Sequence, residues 1–407
     1  MEYSTEKANE KENENGLRYD KASLYAYFAK IFDARRRRGV RYALSTLLVI
    51  MFLAKLCGHD HPVAIADWAK ANSEELIKEL RLSYPHMPHA NTFRWVLREV
   101  IDPLEFQELA DGYQQQHSEA ETEQVALDGK TMRGMIPYGE TRGLHLMSGY
   151  SVEKGTVLSQ GAVDQKANEI VEAPVVLAEI DLQEKVVTGD AMQTQRELSQ
   201  QILDAGGDYL FPVKDNQPKM HQAIEQLFEP EPQPKPGFGR IGNDFISART
   251  VNCGHGRIEV RLLTASNLLN EYLDWPGLSQ VYRLQRITQT IRAGLVVHES
   301  REVEYGITSL SRPEAPPLRL LNLRRNHWGV ESGLHYRRDV SLHEDATRIL
   351  NPHAAHNLAI INNLIVCMAK LAGYDNLARA RRFWSASIHD SLSLITSAPS
   401  DFPPPKG

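Results

Sequence analysis

Apolar residues recur every three or four positions through the first third of the chain. Leu24, Tyr27, Phe28 and Ile31 have helical spacing, and Phe93, Val96, Leu97 and Val100 share a face behind an Asn91-Thr92 pair that suits an N-cap. Residues 43–57 form the longest apolar stretch, interrupted by Ser45, Thr46 and Lys55. It falls short of the roughly 20 residues a membrane-spanning helix needs, so a buried helix is expected, with another over residues 64–71. Near residue 123 the period changes. QVALD, LHLMSGYSV and TVLSQGAV read as three strands, and a helix follows over about residues 168–180. Then come the strand KVVTGD, a helix through RELSQQILDAG that Gly206-Gly207 ends, and a fifth strand, DYLFPVK.

Three strands leading into strand–helix–strand alternation predict a mixed sheet flanked by helices, an α/β architecture. EPEPQPKPGFGR (residues 229–240) breaks the pattern. Residues 241–312 alternate as strands, and helical sequence resumes near Pro317. The expected divisions are a disordered tail over 1–20, a helical N-terminal domain over 21–120, and an α/β domain starting at 121–230. A β-rich insertion over 231–316, a helical C-terminal part over 317–398 and a loose tail over 399–407 complete the chain.

Composition narrows the classes. With 42% hydrophobic and 24% charged residues the chain is an ordinary globular one. Cys57, Cys253 and Cys367 are scattered, which excludes a disulfide framework or a Cys-based zinc site and fits a reducing cytoplasm. The polar start MEYSTEKANEKENENG carries no secretory signal, and no membrane segment is expected. The net charge of −6 does not favour a nucleic-acid partner. Residues 1–20, with six acids against three bases, supply part of it, and basic residues cluster elsewhere: Arg35 to Arg38 with Arg41, Arg324 with Arg325, Arg337 with Arg338, and Arg379 with Arg381 and Arg382. Any DNA contact therefore comes from patches.

The candidate chemistry is acidic. Asp128 and Asp190 end the first and fourth strands, which can lie side by side. Two neighbouring carboxylates repel unless a cation sits between them, so a divalent metal is their natural partner. Each alone is more simply a turn cap. Helical spacing aligns Arg324, His327, Glu331, His335 and Arg338, with Trp328 and Tyr336 interleaved as stacking surfaces. Metal ligation by His327 and His335 ranks below phosphate contact, because no third histidine has suitable spacing. Asp339, Glu344 and Asp345 are alternatives to Glu331. Near the strand-to-helix turn, Lys166, Asn168 and Glu169 read as caps, or Glu169 as a fourth acid. Arg35 to Arg38 read as a phosphate contact or a solvated run.

LDGKTMRG around Asp128, VDQKANEI (163–170), TGDAM (188–192), GGDYLFPVKDNQ (206–217) and HWGVESGLHYRRDVSLHEDA (327–346) occur in order. Together they resemble bacterial insertion-sequence DDE transposases, of the group that includes the H-repeat-associated proteins. The resemblance runs over about residues 22–370. It implies a ribonuclease H-like catalytic domain, with Asp128, Asp190 and Glu331 as catalytic, metal-binding residues. The wider superfamily surrounds its Glu with Tyr, Arg and Lys; this chain has Arg324, His327 and Arg338, a cationic set.

The implied reaction is metal-dependent cleavage at the element's ends and strand transfer into target DNA, with two Mg²⁺ (or Mn²⁺) ions in one site. Lys130, Arg133 and Lys214 are candidate phosphate donors, and Asn216 and Gln217 candidate DNA contacts. The N-terminal helices are expected to bind the terminal inverted repeats. Joining two ends implies a homodimer or higher oligomer on DNA. A transposase-derived protein that holds DNA without cutting, and a plain metal-dependent nuclease, are the competing readings.

Overall fold

The computed structural model describes residues 9–36, 38, 40–136, 138–139, 143–163, 169–229, 244–254, 256–293 and 295–403. Order begins earlier than the polar sequence predicts. Strands β1 (Glu10–Glu12) and β2 (Arg18–Asp20) pair antiparallel, Glu10 facing Asp20. The Asn13 carboxamide oxygen accepts from the backbone N–H of Asn15 and Leu17, both at 2.9 Å, and closes the turn between them. Leu17 enters the helical core, which anchors the ribbon. The disordered tail expected over 1–20 is thus corrected for residues 9–20; residues 1–8 lie outside the described set.

Helices α1 (Leu24–Phe28), α2 (Leu44–Leu56), α3 (Pro62–Ala71), α4 (Ser73–Glu79), α5 (Ala90–Trp95) and α6 (Pro103–Ser118) follow. The N-cap of α5 is His89 rather than Asn91-Thr92: its Nδ1 accepts from the Asn91 N–H at 3.1 Å. Strands β3 (Gln124–Thr131), β4 (His145–Ser151) and β5 (Thr156–Val163) come next. Then α7 (Glu169–Ala178), β6 (Val186–Thr188), α8 (Arg196–Asp204), β7 (Asp208–Val213) and α9 (Pro218–Phe228) alternate. Four long strands, β8 (Phe245–Gly254), β9 (Arg257–Ser266), β10 (Gln280–Arg292) and β11 (Leu295–Thr308), lead to α10 (Pro317–His327). The chain ends in α11 (Pro352–Leu371), α12 (Leu377–Trp384) and α13 (Ile388–Thr396).

The strands form one mixed sheet in the order β5-β4-β3-β6-β7-β11-β10-β9-β8. β3, β6 and β7 run parallel, while β4–β5 and every neighbouring pair from β7 to β8 are antiparallel. Strands β3 and β6 are neighbours, as the sequence predicts for the two that Asp128 and Asp190 end. The β-rich segment is not a separate module. β11 pairs with β7 from Tyr305↔Val213 to Thr308↔Leu210, so these four strands extend the same sheet.

Packing divides the chain into two units, one of residues 1–121, 129–166 and 330–407, the other of 122–128 and 167–329. In the first, α2 is apolar on every side and fully enclosed from Leu47 to Ala54. It shares a single core with α1, α3, α5, α6, α11, α12 and α13. The N-terminal helices therefore do not close on themselves; helices from the far end of the chain complete their core. α11 is long and apolar enough to cross a membrane, but most of it is buried in this core. In the second unit, Val186, Leu210, Leu263 and Tyr282 from the sheet pack on Leu320, Leu321 and Leu323 of α10.

Candidate active site

Strands β3 and β6 are buried apolar runs that turn polar at their carboxyl ends, where ligand sites of parallel sheets form. Their register, Gln124↔Val186, Val125↔Val187 and Ala126↔Thr188, places Asp128 and Asp190 at matching positions two residues on. Neighbouring strands lie about 4.8 Å apart, so one sheet edge presents both carboxylates. Asp190 also caps the turn that follows, its Oδ1 accepting from the Met192 N–H at 2.8 Å. Capping and ligation are compatible, because the carboxylate keeps a second oxygen.

Asp190 is exposed, yet its pKa is raised. Partial desolvation is the main cause, and the Glu169 carboxylate is the second; Lys214 and the backbone N–H of Met192 and Gln193 pull the other way. Glu169 opens α7 and accepts from Gln193 Nε2 at 3.3 Å. Its carboxylate adds a like charge beside Asp190. Lys166 and Asn168 lie outside the described residues.

The neighbouring polar residues serve this edge differently from expectation. Asn216 Nδ2 donates to the Ala191 carbonyl at 2.6 Å, and Gln217 Nε2 to the Thr194 carbonyl at 3.1 Å. These two hold the turn after Asp190 in place. Arg324 is buried and forms a fork to Glu304, Nε to Oε1 and Nη2 to Oε2, both at 2.8 Å, while Nη1 reaches the Gly189 carbonyl at 3.3 Å. Burial disfavours the charge, but Glu304 outweighs it and keeps Arg324 firmly protonated.

His327 is buried against Thr188, 3.2 Å from its hydroxyl, and burial with the Arg324 charge pushes its pKa down to about 3. It is neutral at physiological pH. Lys214, Arg325 and Trp328 are exposed and, with Arg261 and Arg286, line a groove of about 570 Å³. The two arginines on β9 and β10 were missed in the sequence because strand alternation marks a face without saying which groove it borders.

In the other unit, the chain around Glu331 winds as π-helix rather than α-helix. The Tyr336 N–H donates to the Glu331 carbonyl and the Leu342 N–H to that of Arg337, five residues back. Gly333 permits close packing there, since a Cβ would meet the Tyr150 hydroxyl at 2.2 Å. Glu331 is exposed.

Its acidic neighbours are engaged. Asp339 accepts from Lys130 Nζ at 2.6 and 2.7 Å, Asp345 from the Gly134 N–H at 3.2 Å, and Glu344 is buried in a fork with Arg338 at 2.8 and 2.9 Å. This favours Glu331 among the four acids. It also corrects the cationic stripe. Arg338 is fully buried, and its charge is matched by Glu344. His335 is held to about pKa 3 by burial, then by Arg338 and Lys130. Of the residues expected to touch phosphate or base in this unit, Arg133 is exposed and Lys130 is paired; Tyr336 is exposed as a stacking surface requires. Among the described residues, no three His, Cys, Asp or Glu side chains are gathered around one ion position.

The family model "Transposase DDE domain" matches residues 119–368, a span that includes all three carboxylates. The chain belongs to this DDE transposase family. A second model, "DDE_Tnp_1-associated", matches residues 25–113. The chain is 32% identical over 348 residues to the transposase candidate YncI of Escherichia coli O157:H7, covering 84% of this chain and 86% of that one. It is 28% identical over 350 residues to the H repeat-associated transposase candidate YhhI of Escherichia coli K12, covering 84% and 89%. A solved piggyBac transposase synaptic complex with hairpin DNA aligns with 91% of this chain and 77% of its own, at 10% identity and a TM-score of 0.40. Membership in a transposase family implies a DNA substrate and, in general, dependence on a divalent metal.

Proposed function

We propose that this DDE transposase cleaves DNA at the ends of an insertion sequence and joins the freed ends to target DNA, with Asp128, Asp190 and Glu331 as its metal-binding catalytic residues. The observation that carries the reading is the parallel β3–β6 register, which sets Asp128 and Asp190 at one sheet edge. Carboxylate oxygens are the donors that Mg²⁺ or Mn²⁺ prefers, and the Asp190 carboxyl, its pKa raised first by partial desolvation and then by the Glu169 carboxylate, would be relieved by a cation. Glu331 is assigned by its place in the family motif and by its exposure, while Asp339, Glu344 and Asp345 are already engaged. Two bound ions would polarise the scissile phosphate and lower the pKa of the attacking water.

The chain's own groups do the rest. Lys214 and Arg325 offer charge to phosphate oxygens, Trp328 offers a face for stacking, and Asn216 with Gln217 fixes the turn that carries Asp190. Hydrolysis breaks the bond between phosphorus and the 3′ oxygen and frees a 3′-OH. That hydroxyl then attacks a target phosphorus, and the displaced target 3′ oxygen takes a proton. Two ends must meet before joining, so the working form is a homodimer or higher oligomer on DNA, acting inside the cell on the nucleoid.

The test is strand transfer of labelled end DNA with Mg²⁺ or Mn²⁺. Joined product from the native chain and none from Asp190→Ala supports the reading. Undiminished joining by Asp190→Ala removes the triad assignment. Cutting without any joined product would make the protein a nuclease, and metal-independent binding without nicking would make it a DNA-holding derivative.

A further inference from the structure

Where the segment before α2 meets α5 and the segment before it, the helical unit carries a cavity of about 830 Å³ that the triad does not involve. Its lining includes Arg36, Arg38 and Arg41, all exposed, and no carboxylate among the described residues. A fourth arginine, Arg35, is already neutralised by Asp33 in a fork of 2.7 and 2.6 Å. The lining also holds aromatic rings. Trp95 is 47% exposed, and Tyr84 lies under the Arg41 guanidinium, 5.0 Å from ring centroid to Cζ. In the same lining, the Tyr42 hydroxyl is buried and has no hydrogen-bond partner, which leaves a polar atom unsatisfied in the described conformation. Positive charge, aromatic faces and an orphaned hydroxyl in one hollow call for an anionic ligand with flat rings.

We infer that this cavity binds unpaired nucleotides of a DNA strand, with phosphates on Arg36 and Arg38 and a base against Trp95. The volume falls in the roughly 300–1,000 Å³ range of sites that enclose small organic ligands, which suits one or two nucleotides. A duplex hides its base faces inside the stack, so aromatic walls recognise only bases that have left it. An acidic peptide matches the charge but not the rings. The inference rests on DNA being the substrate, and it extends the expected role of the N-terminal helices from duplex ends to unpaired strand.

The test uses the full-length chain in EDTA, so that binding is read without cutting. A fluorescein-labelled 12-nucleotide mixed-sequence DNA strand is titrated by anisotropy, with the matching duplex measured in parallel and polyglutamate as competitor. Trp95→Ala is expected to weaken single-strand binding about tenfold and to leave duplex binding within about twofold. Arg36→Ala/Arg38→Ala is expected to weaken it further and to flatten its salt dependence by about 0.7 per lost phosphate contact. All three side chains are exposed, so the variants retain the core. The inference is overturned if the native chain does not bind the strand or if Trp95→Ala leaves strand affinity unchanged. It is also overturned if Trp95→Ala weakens duplex equally, or if polyglutamate competes as well as DNA. Metal-dependent cutting of end DNA is scored separately with Asp190→Ala: its failure bears on the triad, and failure of strand binding bears only on the cavity.

Discussion

The edge formed by β3 and β6 and the segment after Glu331 treat charge in opposite ways. At the sheet edge, Asp190 stands exposed beside a second carboxylate, and its pKa is raised by partial desolvation first and by that neighbour second. After Glu331, charges cancel within the fold: Lys130 against Asp339, and Arg338 against Glu344. The difference separates two uses of ionisable residues that look alike in sequence. Compensated pairs fix the chain, whereas like charges held side by side favour a cation between them. The motif HWGVESGLHYRRD contains both kinds, and only exposure and pairing tell them apart.

The largest expected effects break that contrast from each side. Asp190→Asn keeps the capping oxygen and removes the charge, so cleavage should fall by about 10³-fold or more, equivalent to about 4 kcal/mol of barrier. Because its folded pKa is raised, ionised Asp190 opposes folding at neutral pH, and the variant should melt at the same temperature or slightly higher. Cleavage within tenfold of native would remove Asp190 from the chemistry. Arg338→Met should behave inversely. It leaves the Glu344 charge buried with the Asn362 amide but without its cation, at a cost of about 3–5 kcal/mol read by urea denaturation. Adding Glu344→Gln should recover a large part of that loss; a double variant no more stable than the single one would refute the pairing argument.

Acid should expose the same pairs. Burial pushes the Glu344 and Glu304 carboxyls up, but Arg338 and Arg324 respectively outweigh it and hold them below the usual range. Their contribution to stability is therefore present above the unfolded pKa of about 4.3 and is lost as pH falls through the folded values. Denaturant midpoints measured from pH 6 down to pH 3 should drop for the native chain. The drop should be shallower for the double variant Arg338→Met/Glu344→Gln, which has lost one such group. Identical slopes would mean that Glu344 does not titrate with unfolding.

Much of the fold was legible because apolar period alone marks it. β5 coincides with the run TVLSQGAV, and α11 with the apolar segment that follows Asn351. What escaped depends on partners distant in sequence. Arg324 meets Glu304 twenty residues back across a strand end, and Arg338 meets Glu344 across two turns of different type. No helical-face argument can find either, and the π winding after Glu331 removes the i, i+4 spacing on which the cationic stripe rested. The polar ribbon of residues 9–20 escaped for the opposite reason: one buried leucine and one asparagine turn hold it, without any periodic signal. The two strand-end aspartates were legible, because strand ends are where both the period and the chemistry change.

Lys130 tests the contrast at its weakest point, since its side chain is buried while Asp339 is 37% exposed. If the lysine is only a brace, Lys130→Met should cost about 1 kcal/mol or less, because its partner regains water on release. Cleavage measured at saturating DNA should then stay within about threefold of native, about 0.7 kcal/mol of barrier. If instead Lys130 leaves Asp339 to neutralise a phosphate during the reaction, stability would change just as little, but cleavage would fall at least about tenfold, or about 1.4 kcal/mol. Asp339→Asn sharpens the choice: it frees the lysine, so cleavage should again stay within about threefold for a brace and should hold or rise for an enzyme that uses the free ammonium. Both variants within about threefold of native would place Lys130 with the compensated charges, and a loss of about tenfold confined to Lys130→Met would move it to the other class.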